Sequence, residues 1–192
     1  MCTISLSYLI IAACIGYFMG SVPYGVLLTR LNGHRDLQKK GSRNIGATNV
    51  YRVAGKKLGF LTLFFDYFKG FLTVLLCLYL NLNIYVAGFA CVLGHMFPIW
   101  LKFKGGKGVA SYIGVLTGWS FIPGAFATII WLIILTITRI SSLASLCCVV
   151  SSLFFLGLWG KGSALLFAIP LAILIFIKHT GNIKRLLLGR ES

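Results

Sequence analysis

The segment 41–52 is a polar, glycine-broken run whose residue types suit the binding of an anion. Its neutral hydrogen-bonding side chains are Ser42, Asn44, Thr48 and Asn49. Gly41 and Gly46 allow the backbone to turn and to expose successive N–H groups. Arg43 and Arg52 add positive charge, so a ligand rich in oxygen atoms, above all a phosphate, fits the segment. The alternative is an ordinary cytoplasmic loop, because such loops are usually basic.

A second candidate site is the run Lys104-Gly105-Gly106-Lys107-Gly108, which precedes a short apolar segment. Glycines beside lysine at the start of a helix can cradle a phosphate through backbone N–H groups and the helix dipole. The run is not a Walker A loop, because the GxxxxGK[ST] spacing and a companion aspartate for magnesium are absent. The alternative interpretation is a flexible basic connector.

A third group of candidates lies nearer the C-terminus. Ser142 could help to bind an anion or, more commonly, could cap the helix that follows it. On a helix, His179 and Asn182 would share one face. His179 could then act as a general base or donate to an anion, or it could be an interfacial residue without a catalytic role. Glu191 is expected to pair with a nearby Lys or Arg.

Composition identifies an all-α integral membrane protein. The chain has 192 residues, of which 58% are hydrophobic and 11% charged, whereas soluble domains carry about 25% charged residues. Lys and Arg number 18 against 3 Asp and Glu, a formal charge of +15. This balance favours a membrane face and anionic substrates over nucleic acid. So few carboxylates, with no clustered His or Cys, predict neither a metal nor another cofactor.

Cysteine usage and the N-terminus agree with a retained membrane chain. All cysteines except Cys2 lie in apolar runs and no CxxC motif is present, so they are interpreted as small apolar residues. The first residues lack the basic region of a signal peptide, which indicates a retained first span.

The apolar runs predict a single domain, 1–192, with seven transmembrane helices. They cover about 4–31, 58–80, 84–101, 109–118, 125–138, 143–158 and 163–177. The fourth would give only about 15 Å of helix, against a hydrocarbon core about 30 Å thick. If it crosses, nearly all basic residues except Lys161 fall on one side. The positive-inside rule therefore places the N-terminus outside and the C-terminus in the cytoplasm.

Two local features refine the helices. Pro23, flanked by glycines, is expected to kink the first span. Gly118, Pro123 and Gly124 are expected to break the chain after the short helix.

Asp66 and Lys69 are spaced i, i+3 within the second span, so they can meet on one helix face. Because ions in a membrane are costly, this pair should face protein or water. It is either structural or orients a neighbouring loop.

Six motifs in order carry a resemblance to a known family. They are Gly20-Ser21-Val22-Pro23-Tyr24-Gly25, the whole of 41–52, Asp66-Tyr67-Phe68-Lys69-Gly70, Gly94-His95-Met96-Phe97-Pro98, Lys102-Phe103-Lys104-Gly105-Gly106-Lys107-Gly108-Val109-Ala110, and His179-Thr180-Gly181-Asn182-Ile183-Lys184-Arg185-Leu186. Across nearly its whole length the chain resembles the bacterial acyl-phosphate:glycerol-3-phosphate acyltransferases. Arg43 stands where that family more usually has glycine, and Gly181 where it often has glutamate.

The resemblance implies a seven-helix enzyme of the bacterial inner membrane with its active site facing the cytoplasm. It would transfer a fatty acyl group from acyl phosphate to the 1-hydroxyl of glycerol 3-phosphate, giving lysophosphatidate and inorganic phosphate. This is the first step of phospholipid synthesis, and the enzyme that makes acyl phosphate could be a functional neighbour. The resemblance implies that the enzyme uses no cofactor and binds no nucleic acid. It also implies that membrane lipid surrounds the protein.

The resemblance also assigns residues to roles. The catalytic set is Ser42, Arg52, Lys107, His179 and Asn182. The substrate-binding set is Asn44, Gly46, Thr48, Asn49, Lys104, Gly105, Gly106, Gly108 and Ser142. From the residues alone, a carrier or channel for phosphorylated metabolites remains the main alternative. A carrier would more often show internal repeats and a polar path at mid-membrane, and a purely structural membrane protein is a more distant third interpretation.

Overall fold

The computed structural model describes residues 5–34 and 36–191, and all regular secondary structure in these ranges is helical. The predicted all-α class is therefore confirmed. Ile4, the predicted start of the first span, and Cys2 lie outside the described residues. The chain forms two compact units that divide between residues 115 and 116. A single domain over the whole chain stays a prediction.

Among its described residues, the first unit contains five α-helices and the start of a sixth. They are α1 (Leu6–Ser21), α2 (Tyr24–Leu31), α3 (Ala47–Ala54), α4 (Lys56–Tyr79), α5 (Ile84–Met96) and α6 (Val109–Trp119). The break between α1 and α2 confirms the predicted kink at Pro23, which lacks a backbone N–H to continue the helix. Asn83 begins α5 by accepting hydrogen bonds from the N–H groups of Tyr85 and Val86, both at 3.0 Å.

Helices α1 and α5 pack closely through small residues. A Cβ built on Gly16 would lie 2.0 Å from the carbonyl oxygen of Ala87, and one on Gly20 would lie 1.9 Å from that of Cys91. No larger residue fits at either position without moving the helices apart. Small residues at helix contacts are typical of membrane proteins, where close van der Waals packing drives association.

The second unit contains the end of α6 and four further helices. They are α7 (Phe121–Thr138), α8 (Ser141–Leu158), α9 (Gly162–Lys178) and α10 (Thr180–Leu187). The predicted break at Gly118, Pro123 and Gly124 was wrong in position. Gly118 lies inside α6, the helices separate at Ser120, and Pro123 lies in the first turn of α7. Proline is tolerated there because first-turn N–H groups have no partner within the helix.

The helices match the predicted apolar runs closely. Within residues 5–34 and 36–191, five segments are long and apolar enough to cross a membrane, and the pair α9 and α10, bent by 61°, makes a sixth if it is one span. The remaining run, α6, has only 11 residues, as its sequence predicted. Whether α6 makes a seventh crossing, and on which side each terminus lies, stays a prediction.

Candidate functional site

The polar segment 41–52 is half loop and half helix. Its second part belongs to α3, which begins after Gly46, so the alternative of an ordinary loop does not describe the whole segment. A small apolar core anchors the segment to its surroundings, and its buried members are Val26, Leu37, Ile45, Val50 and Leu58. The sequence analysis did not predict α3, because this helix is only eight residues long and its few apolar residues are interspersed with polar ones.

Asn49 is the centre of this segment rather than part of its surface. It is 1% exposed. Its Oδ1 accepts from the backbone N–H of Ser42 at 2.8 Å, and its Nδ2 lies 2.8 Å from the carbonyl oxygen of Asn44. Nδ2 also lies 3.2 Å from the carbonyl oxygen of Lys40 and 3.4 Å from that of Leu37. The amide therefore holds the loop in shape, and its predicted substrate contact stays a prediction.

Two left-handed residues lead the chain around Asn49. Gly41 has φ +57° and Arg43 has φ +60°, in the region that favours glycine. A Cβ on Gly41 would lie 2.3 Å from Asn49 Oδ1. The left-handed backbone at Arg43 gives a physical reason for glycine to be usual at this position in the family that the chain resembles.

An aspartate at position 49 is expected to disrupt the loop. In Asn49→Asp a carboxylate would face backbone carbonyl oxygens in place of the amide N–H groups, and an unsatisfied buried group costs about 1–3 kcal/mol. We expect a lower Tm in detergent and reduced acyl transfer. Asn32→Asp is the matched control, because Asn32 also donates to a carbonyl, that of Leu28 at 2.9 Å, but is exposed. Equal Tm values for the two variants would contradict this role.

Other candidates of the segment are accessible to a ligand. Ser42, Thr48 and Arg52 are exposed, whereas Asn44 and Gly46 are half-buried. The apolar core beneath the segment fixes the backbone while these polar groups stay at the surface. The arrangement therefore offers hydroxyl and guanidinium groups on a rigid support, which suits an anion.

The glycine-rich run 104–108 forms a loop held against the end of α5. The N–H of Gly105 donates to the carbonyl of Met96 at 3.2 Å, and the N–H of Gly106 donates to that of His95 at 3.1 Å. The predicted use of these two N–H groups as a phosphate cradle was therefore wrong, because α5 already binds them. A phosphate contact by the rest of this run stays a prediction.

The two lysines of the run have different surroundings. Lys104 is exposed and Lys107 is half-buried. The side-chain Nε2 of Gln38 donates to the carbonyl oxygen of Lys104 at 3.0 Å. This bond ties the run to the chain just before segment 41–52, so the first unit brings the two candidate segments together.

A buried group of charged and ring side chains lies beside the glycine-rich run. Lys69 Nζ is 2.8 Å from Asp66 Oδ1, which confirms the predicted meeting of this pair, and 3.0 Å from His95 Nδ1. It also donates to the carbonyl oxygen of Val22 at 2.9 Å. The buried ammonium of Lys69 thus has three polar atoms within 3.0 Å, as burial of a charge in a membrane protein requires.

In the second unit, the candidates near the C-terminus meet at Glu191. Ser142 Oγ donates to Glu191 Oε1 at 2.8 Å, Asn182 Nδ2 donates to the same oxygen, and Arg185 Nε lies 2.5 Å from Oε2. The pairing of Glu191 with a basic residue is confirmed. The prediction that Ser142 caps its helix was wrong, because the residue before α8 is Ile140.

His179 is buried at the junction of α9 and α10. Its Nδ1 lies 2.8 Å from the carbonyl oxygen of Ile175. A carbonyl only accepts, so Nδ1 carries a proton, and Nε2 is the ring nitrogen that can accept one. Asn182 lies in the first turn of α10 and is also buried. The helix is interrupted at His179, and α9 and α10 are bent by 61° there, so a shared helix face for His179 and Asn182 stays a prediction.

The pKa of Glu191 lies below its ordinary value. Burial raises it, but hydrogen bonds from Arg185, Asn182 and Ser142, with the charge of Arg185, lower it by more. A depressed pKa means that the carboxylate stabilises the docked tail above the unfolded value of about 4.3, and that this stability is lost as pH falls through the folded-state value.

Glutamine at position 191 is expected to weaken the tail in a pH-dependent way. At pH 7, Glu191→Gln should lower Tm by about 2–4 °C, the shift for about 1 kcal/mol in a chain of this size. At a pH where Glu191 is protonated, the wild type and the variant should melt together. Thermal melting of both proteins across pH 3–7 measures this. A constant difference between them would contradict the carboxylate's role.

Comparison with known proteins now decides the family. The family model described as glycerol-3-phosphate acyltransferase matches residues 10–189. The chain belongs to the glycerol-3-phosphate acyltransferase family. A member from Brucella anthropi is 48% identical over 189 residues, covering 96% of this chain and 92% of the relative. One from Rhizobium meliloti is 47% identical over 184 residues, covering 94% and 90%.

Solved structures of a family member share the fold. The crystal structure of PlsY (YgiH), an integral membrane glycerol 3-phosphate acyltransferase, in its glycerol 3-phosphate form has a TM-score of 0.90 and 39% identity. It covers 96% of this chain and 94% of that one. The lysophosphatidic acid form has a TM-score of 0.88 and 38% identity. The chain is thus an integral membrane acyltransferase of phospholipid synthesis, and the carrier interpretation falls away.

Two residues with contacts at the candidate site had no assigned function in the sequence analysis. His95 was noted only as part of a motif, and Glu191 only as a tail anion. The sequence feature that could have found them is the small number of acidic residues. With 3 Asp and Glu in the chain, each carboxylate should have a defined cationic partner. Asp66 and Glu191 both do.

Proposed function

We propose that the protein transfers a fatty acyl group from acyl phosphate to the 1-hydroxyl of glycerol 3-phosphate, releasing lysophosphatidate and inorganic phosphate. The carrying observation is the hydrogen bond from Gln38, just before segment 41–52, to the carbonyl oxygen of Lys104. It links two segments of the first unit that both carry accessible polar or cationic side chains. Two phosphate-bearing substrates need such donors. The relative solved with glycerol 3-phosphate and with lysophosphatidic acid agrees with one substrate and one product.

The proposed reaction requires little covalent chemistry from the protein itself. The glycerol hydroxyl oxygen attacks the acyl carbonyl carbon, a new C–O bond forms, and the bond from carbon to the phosphate oxygen breaks. The hydroxyl proton passes to a substrate phosphate. Because phosphate is a good leaving group, the protein mainly positions the reactants and stabilises negative charge. This explains why a chain with so few carboxylates can act as the enzyme.

We assign the first-unit residues by their accessibility. Ser42, Arg52 and Lys107 serve the reacting groups, and Lys104 and Thr48 bind substrate oxygens. Asn49 and the glycines Gly41, Gly46, Gly105, Gly106 and Gly108 support this set through the backbone. Arginine suits bidentate binding of phosphate, and lysine serves as a point charge.

We also assign residues of the second unit to the reaction. His179 donates from Nδ1 to a carbonyl, so Nε2 is the atom that would meet substrate. Asn182 and Ser142 are oriented by Glu191. We further propose that the protein lies in the bacterial inner membrane with seven crossings and that these groups face the cytoplasm, as the positive-inside rule predicts.

The deciding experiment uses purified protein in lipid vesicles. Palmitoyl phosphate and glycerol 3-phosphate are added without metal or CoA, and inorganic phosphate and lysophosphatidate are both measured. Palmitoyl-CoA replaces palmitoyl phosphate in a parallel reaction. Equal amounts of both products from palmitoyl phosphate alone support the proposal.

Other outcomes would overturn it in distinct ways. Lysophosphatidate formed from palmitoyl-CoA but not from palmitoyl phosphate would show that acyl phosphate is not the acyl donor. Phosphate without lysophosphatidate would indicate hydrolysis or another acceptor. No product from demonstrably folded protein would reject the proposed reaction for this chain.

A further inference from the structure

The imidazole of His95 fills the space that a side chain at position 106 would need. A Cβ built on Gly106 would lie 2.1 Å from His95 Nε2 and 3.0 Å from both Cδ2 and Cε1. Real Cβ atoms essentially never approach within 3.0 Å of another heavy atom. His95 is 4% exposed, so the ring is enclosed and cannot swing freely into solvent. Glycine is therefore required at 106 as long as the ring stays.

Lys69 fixes the orientation of that ring. An ammonium group donates hydrogen bonds and accepts none, and this one lies 2.9 Å from Val22 O and 3.0 Å from His95 Nδ1. The Asp66 carboxylate is its ion-pair partner at 2.8 Å. His95 Nδ1 must then accept, which places the ring proton on Nε2. The separation of 3.5 Å between His95 Nδ1 and Asp66 Oδ1 is too long for a good N–H···O bond and agrees with this assignment.

The backbone of the same run is bound to the same part of α5. Gly106 N–H donates to the carbonyl of His95, and Gly105 N–H donates to that of Met96. His95 thus contacts Gly106 twice, through its carbonyl and through its ring. Lys104 and Lys107 flank these glycines directly, so the path of the backbone over His95 sets where the two ammonium groups can reach.

We propose that His95 is a positioning residue for Lys104 and Lys107, with Lys69 and Asp66 holding its ring, and that position 106 is glycine because the ring occupies its Cβ site. The inference rests on the proposed function in one respect, namely that these lysines bind a substrate phosphate. It differs from a phosphate cradle, in which glycine would be needed for the ligand to approach the backbone.

A double-mutant cycle tests the proposal. The variants are Gly106→Ala, His95→Asn and the two combined. Asparagine keeps an acceptor near the place of Nδ1 but lacks the far half of the ring. We expect Gly106→Ala to raise KM for glycerol 3-phosphate by about tenfold or more with a smaller change in kcat, since misplaced binding groups are costly. In the double variant, KM should return to about that of His95→Asn alone.

The matched control is Gly157→Ala. Gly157 lies in α8, and a Cβ there would have no heavy atom within 4 Å. It should leave KM and kcat unchanged and should not lower Tm, because alanine is a better helix former than glycine. A double variant with KM as high as that of Gly106→Ala would overturn the proposal, because glycine would then be needed for a reason other than the ring.

Thermal melting separates this inference from the proposed function. Gly106→Ala should lower Tm, and His95→Asn should remove that loss, without any substrate present. If the two substitutions are coupled in Tm but not in KM, the contact between His95 and position 106 serves only packing. That outcome would overturn the positioning role of His95. If the wild type forms no lysophosphatidate, the proposed function fails, while the Tm cycle still decides whether the ring excludes a side chain at 106.

Discussion

Lys107→Ala is expected to lower kcat/KM for acyl transfer by about 10²-fold or more, the usual effect of removing one charge-stabilising donor from an active site. Lys107 lies half-buried in run 104–108, where the glycine N–H groups at 105 and 106 are bound to α5. Because those N–H groups are bound, we expect the lysine side chain to carry more of the proposed phosphate binding than it would in a typical glycine-rich loop.

Arg52→Ala should behave in the same way, since Arg52 is exposed on α3 and is not a member of the apolar core beneath segment 41–52. Both variants should insert and melt normally, and the assay is the vesicle reaction with palmitoyl phosphate. Lys161→Ala is the control: it removes an exposed lysine that the predicted topology places on the other membrane face. Near-normal turnover in both Lys107→Ala and Arg52→Ala would reject the residue assignments.

Lys69→Met is expected to be the most destabilising single change in the first unit. It would leave the Asp66 carboxylate buried without its ammonium partner, and breaking a buried ion pair from one side costs about 3–5 kcal/mol. In a chain of this size such a loss lowers Tm by roughly 10 °C. The variant also frees the ring of His95, so surviving enzyme should show a raised KM for glycerol 3-phosphate.

Two further variants define the cause of that loss. Lys56→Met, at the exposed start of the same helix, should melt like the wild type. Asp66→Asn combined with Lys69→Met removes the uncompensated charge and should recover much of the Tm. If the double variant melts no higher than Lys69→Met alone, the penalty lies in the lost packing of the lysine and not in the buried carboxylate.

Several structural features could be predicted from local patterns in the sequence. Apolar runs predicted the helices, because a membrane permits few alternatives to them. The spacing of Asp66 and Lys69 predicted their contact, since residues three apart on a helix are neighbours. Pro23 predicted the break between α1 and α2 for a reason that is equally local. The motifs also led to the right family.

Tertiary structure decided how the polar segments are held. Lys69 reaches a carbonyl 47 positions away, His95 lies 26 positions from Lys69, and Ser142 meets Glu191 across 49 positions. No periodicity encodes such pairs, because they depend on which helix faces pack together. The same holds for Gly106, whose glycine was assigned to phosphate binding by its sequence. In the folded chain the ring of His95 occupies the space beside it, and α5 has already bound its N–H.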